Sequence, residues 1–149
     1  MKASIFILLT IGLSLFLYSF SVNQEETFSL TVKVEKLQNS KGVVQFALYN
    51  KDGSIPDEDY KNYYRLEKAK IVNGKSDITF KNLPKGKYAV NILHDENNNS
   101  KIDKGLLLPK EGIGFSNYQT IGLRNRPNFY KASFEINTDK TIYVTLIYM

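Results

Sequence analysis

Apolar and polar residues alternate from Phe28 to Glu35: Phe28, Leu30, Val32 and Val34 are interleaved with Ser29, Thr31, Lys33 and Glu35. A period of two is that of a strand with one face in a core. After the polar run Asn39-Ser40-Lys41-Gly42 the same pattern returns at Val44, Phe46 and Leu48, which predicts a hairpin of the first two strands. Pro56-Asp57-Glu58-Asp59 suits the start of a short helix running to Tyr64, since proline and acids favour a helix N-terminus. Asn73-Gly74 is a tight-turn dipeptide between strands at Lys70–Val72 and Asp77–Phe80. Pro84-Lys85-Gly86 then turns the chain into Tyr88, Val90 and Ile92. The last strands are expected at Tyr130–Ile136 and Ile142–Tyr148, joined by a polar turn from Asn137 to Lys140.

About seven short strands, with neither a long amphipathic helix nor an internal repeat, predict an all-β, antiparallel β-sandwich. One long loop follows the fifth strand, between Asp95 and Asn128. Loops of that length inside a compact domain are usually functional or ordered by something bound.

The N-terminus changes the picture. Lys2 precedes an apolar run from Ala3 to Phe20 and the small-x-small pattern Ser19-Phe20-Ser21. This order predicts a signal peptide over residues 1–21, with an uncleaved membrane anchor as the alternative. Removing 21 of the 149 residues leaves 128, enough for a single domain at 22–149. The expected location is outside the cytoplasm, periplasmic or secreted, with membrane contact only through the N-terminal segment before cleavage. With no cysteine there is neither a disulfide framework nor a lipidated thiol. The formal charge is +5, and Lys61 to Lys87 carries eight basic residues against Glu67 and Asp77. Such a stretch keeps a strand-rich surface soluble or meets an anionic partner. Export argues against nucleic acid and for an envelope polysaccharide or protein. Tyr60, Tyr63, Tyr64, Tyr118, Tyr130, Tyr143 and Tyr148, with Arg65, Arg124 and Arg126, would suit such a contact surface or simply serve as strand residues.

Candidate chemistry concentrates in "HDENNNSKID", His94 to Asp103. Calcium takes several oxygen ligands on a flexible turn, in the EF-hand loop from alternate positions. Counted from Asp95, the ligand positions hold Asp95, Asn97, Asn99, the Lys101 carbonyl and Asp103, while Ile102 takes the place of the inward-facing apolar residue. Position twelve is Leu106, so the closing carboxylate would have to come from Glu96 or Glu111. Two readings follow: a weak calcium site, or a closed hydrogen-bonded turn of the kind Asn and Asp form with their own backbone. His94 is the only histidine, which excludes the usual multi-histidine zinc site. It shares strand parity with Val90 and Ile92, predicting a ring at the sheet's end, partly buried and bonded to the loop. No nucleophile set stands out, so the expectation is a non-catalytic binding protein. The alternative is a small hydrolase with Ser116 as nucleophile and His94 as base, although Tyr118 stands where a nucleophile elbow needs glycine.

Four pieces in order, "GVVQFALYN", "FKNLPKGKYAVNILHDENNNSKID", "LPKEGIGFSN" and a last strand ending in tyrosine, resemble the bacterial family called domain of unknown function 2141. The resemblance covers about Phe28 to Tyr148. It implies an exported single-domain sandwich, prealbumin-like or immunoglobulin-like, and no established activity. It also implies glycine in the loop where this chain has Asn98 or Ser100.

Overall fold

The computed structural model describes residues 25–105, 109–122 and 124–149, so the expected signal peptide at 1–21 and Leu106 lie outside the described residues. Eight strands form among them: β1 (Thr27–Glu35), β2 (Val43–Tyr49), β3 (Arg65–Ala69), β4 (Lys75–Pro84), β5 (Gly86–Asp95), β6 (Ile113–Phe115), β7 (Phe134–Ile136) and β8 (Lys140–Tyr143). A helical turn, α1 (Phe129–Ala132), precedes β7. The small sheet has the order β4-β1-β8, and the large one β3-β2-β5-β6 with β7 also on β5. Leu30, Val32 and Phe80 of the small sheet pack on Val44, Phe46, Leu48, Val90 and Ile92 of the large one. The fold is thus an all-β sandwich. Its pairings are antiparallel except β1 with β8, which run parallel.

Several local expectations are corrected. β1 and β2 are not a hairpin: β1 pairs with β4 and β8, whereas β2 pairs with β3 and β5. Their apolar faces meet across the sandwich, because period two marks the buried face of a strand and leaves its neighbour open. Asn73-Gly74 does form the tight turn, with positive φ at both residues and reciprocal Val72–Lys75 hydrogen bonds. The strand before it, however, is Arg65–Ala69, not Lys70–Val72, and belongs to the other sheet. No helix forms at Pro56–Tyr64. The Asp57 carboxylate accepts from the Lys61 and Asn62 backbone N–H groups and from the Tyr49 hydroxyl, which winds the segment into a turn on the sheet. The expected strand from Tyr130 begins only at Phe134, because the Asn128 side chain caps the backbone N–H of Lys131 and starts α1. The last strand stops at Tyr143, though Ile147 continues as a bridge to Ile113.

The large sheet is covered on both faces. On its outer face Ala47, Tyr49, Ala89 and Leu93 lie beneath Ile55, Tyr60, Tyr118 and Phe129 from the long connections. Gln45 shares that face and is fully buried, yet its side-chain amide has no hydrogen-bond partner among the described residues. A buried amide without partners destabilises, and an apolar side chain of similar volume removes the penalty. Gln45→Met is expected to raise stability by about 1 kcal/mol, read as a higher urea midpoint at unchanged slope.

Candidate functional site

β5 ends by delivering His94 to the inner face and Asp95 to the outer one, as alternation requires. Both side chains are fully buried. The chain then closes on Asp95: one carboxylate oxygen accepts from the Asn99 backbone N–H and the other from that of Ser100, each at 2.9 Å. Asn98 and Ser100 take positive φ values, 60° and 67°, a conformation Asn tolerates and glycine adopts freely. Asp103 accepts from the side-chain amides of Asn97 at 2.6 Å and Asn99 at 2.9 Å. The Asn97 and Asn99 side-chain oxygens in turn accept from the backbone N–H groups of Asn99 and Lys101. The loop therefore gathers Asn97, Asn99 and Asp103 into one constellation, with Asp95 at its base and Lys101 on its backbone. Ile102 points inward, against the outer core.

Two further charges converge there. Lys68 of β3 reaches the Asp95 carboxylate at 3.4 Å and the Ser100 hydroxyl at 2.7 Å. Nothing in the sequence announces this contact, since it depends on β3 pairing with β2 on the opposite side from β5. Glu111 is buried, and its two oxygens accept from the backbone N–H groups of Glu96 and Asp103. Burial holds its carboxyl above the usual range, against the pull of those two N–H donors, and the charges of Asp103 and Asp95 add to the rise. Of the two acids that could close the loop from elsewhere, Glu111 is the one whose carboxylate contacts the loop backbone; that of Glu96 lies 4.0 Å from the His94 ring. Among the described residues no group of three or more His, Cys, Asp or Glu is placed to hold a metal ion. The donors of the loop are an even mixture of carboxylates and amides.

The His94 ring, expected to be partly buried and bonded to the loop, is fully buried and bonds elsewhere. Its Nε2 donates to the Lys41 carbonyl, which leaves Nδ1 to accept from the Tyr148 hydroxyl at 2.8 Å. Ser116 sits where β5 passes from pairing with β6 to pairing with β7. Its hydroxyl accepts from the Val90 N–H at 2.9 Å and donates to the Ala132 carbonyl at 2.7 Å. Val90 and His94 are four residues apart on one strand, about 13 Å, so Ser116 and His94 are not brought together. Tyr60 and Tyr118 are buried, while Tyr63, Tyr64, Tyr130 and Tyr143 are exposed.

The order of these parts, a β5 strand running into the amide-rich loop and returning through Glu111 to Ser116, lies within residues 32–143, which the sequence profile of DUF2141 matches; that family is described as uncharacterized protein conserved in bacteria. The chain belongs to the DUF2141 family. No curated protein and no solved structure matches it. In this DUF2141 chain Asn98 and Ser100, at one or other of which the resemblance implies glycine, both take a left-handed backbone while carrying side chains.

Proposed function

We propose that this DUF2141 protein is an exported, non-catalytic binding module of the cell envelope, its partner an envelope polysaccharide or protein, with a low-affinity calcium loop at Asp95–Asp103. The observation that carries the calcium reading is the convergence of Asn97, Asn99 and Asp103 within hydrogen-bond distance of one another. A carboxylate has about four lone-pair sites, so Asp95 keeps acceptor capacity after taking its two backbone N–H groups. Asp95, Asn97, Asn99, the Lys101 carbonyl and Asp103 would hold the ion, and Glu111 offers the closing carboxylate. The Lys68 ammonium on Asp95 opposes a cation and keeps the affinity low. Support for binding over the hydrolase alternative comes from Ser116 and His94, whose polar atoms are each committed to backbone or to Tyr148.

Calcium and chelator melts test the loop. With about 2 mM calcium and a dissociation constant of about 0.1 mM, linkage adds about 1.8 kcal/mol, a rise of about 6 °C in melting temperature. Asp103→Asn is expected to remove most of that rise and leave the fold intact. Identical melting of the wild type in calcium and in chelator would sink the calcium reading and leave the closed turn. Pulldown with envelope polysaccharide and envelope protein fractions separates the two partner classes.

A further inference from the structure

A cavity of about 370 Å3 lies on the outer face of the large sheet. Ile102 of the loop, Ile113 and Phe115 of β6, Ile121, Pro127 and Met149 form apolar walls, and Asp57, Glu58 and Arg126 add charged groups to the lining. Asn91, in the middle of β5, also lines it. That residue is fully buried, and neither its amide nitrogen nor its amide oxygen has a hydrogen-bond partner among the described residues. The Tyr49 hydroxyl is a close neighbour of the Asn91 amide, but it donates to Asp57 and makes no well-aligned hydrogen bond with Asn91. Buried polar groups are almost always paired, and an orphaned one calls for an explanation.

We propose that the cavity is a binding site for a small, mostly apolar molecule bearing a primary carboxamide or an equivalent cis-amide edge. An Asn side chain presents a donor and an acceptor side by side, and its full complement is a group that presents an acceptor and a donor in the same spacing. An ester or ketone satisfies only the nitrogen, and a pure hydrocarbon neither. The apolar walls suit the rest of such a ligand, and the volume lies at the lower end of ligand sites, about 300 to 1,000 Å3, which favours a single ring or a short chain. Because Asn91 is fully buried, a neighbouring side chain must move for a ligand to reach its amide. Met149, 44% exposed and unbranched, is the wall best able to do so. The site shares only Ile102 with the loop and does not depend on calcium.

The test uses the 15N-labelled full-length protein and two probes, cyclohexanecarboxamide and its methyl ester analogue, methyl cyclohexanecarboxylate. The carboxamide is expected to shift the Asn91 side-chain NH2 signals and the backbone signals of Ile113 and Ile121, with a dissociation constant on the order of 1 mM. The ester, which accepts but cannot donate, should bind about tenfold more weakly because it leaves the Asn91 oxygen unpaired. In Asn91→Leu the two probes should bind alike. Ile121→Trp, which fills the cavity from its half-buried wall and leaves Asn91 in place, should abolish binding of both. The wild-type comparison needs no variant, so it decides the matter even if Asn91→Leu does not fold. Equal binding of the two probes to the wild type overturns the proposal, as does the absence of shifts at Asn91 up to the solubility limit of the carboxamide.

Discussion

Gly42→Ala is expected to destabilise the protein by about 4 kcal/mol, the largest effect of any methyl-sized change considered. Gly42 precedes β2 with φ +64°, where a Cβ is already strained. The added carbon would lie 1.9 Å from the Asp95 carbonyl oxygen and 2.7 Å from the Glu96 Cα, both backbone atoms. Neither side can retreat, because Val43 and Asp95 are paired in the β2–β5 ladder. Gly53→Ala is the control: φ is +75°, but nothing lies within 4 Å of the new carbon. It should cost only about 1 kcal/mol. Urea unfolding of both variants separates the contributions, since the difference between them isolates the close approach from the backbone strain. Equal costs would show that β2 and the loop do not approach as described.

The second large effect is expected at Asp95. Asp95→Ala removes the acceptor for the Asn99 and Ser100 N–H groups and the charge partner of Lys68, and should cost about 3 kcal/mol. The loss is local as well as global. Amide hydrogen exchange at Asn99 and Ser100 should accelerate by more than the change in global stability explains, because the loop opens while the β2–β5 ladder holds. Asp95→Asn, which keeps one accepting oxygen, should fall between wild type and alanine. If exchange at Ser100 is unchanged in Asp95→Ala, the carboxylate does not hold the turn. This measurement is made in chelator, so it stands apart from any calcium effect.

Much of the sandwich was legible in the sequence. Leu30, Val32, Val34, Val44, Phe46, Leu48, Val90 and Ile92 were expected on buried faces and form the inner core, and Asn73-Gly74 was expected to turn tightly and does. These are local properties, settled by alternation along a strand and by the backbone freedom of two residues. The compact cluster of Asn97, Asn99 and Asp103 was legible for the same reason, since its spacing is short enough for neighbouring side chains to meet. By contrast, the strand β6 was hidden inside a long connection because three residues are too few to show a period. The helical start at Pro56 read plausibly, yet three donors converging on Asp57 from Tyr49, Lys61 and Asn62 outweighed it.

By itself, then, the sequence determined the period of each long strand, the face it buries, the tight turn and the oxygen-rich loop, all of which arise from residues a few positions apart. Only the tertiary structure decided that β1 and β2 lie in opposite sheets, that Lys68 and Glu111 close on the loop, and that Asn91 lines a largely apolar cavity. Alternation specifies a face but not which edge pairs with which. Long-range strand pairing, chosen by the packing of both sheet faces at once, supplies the partners that no local pattern can name.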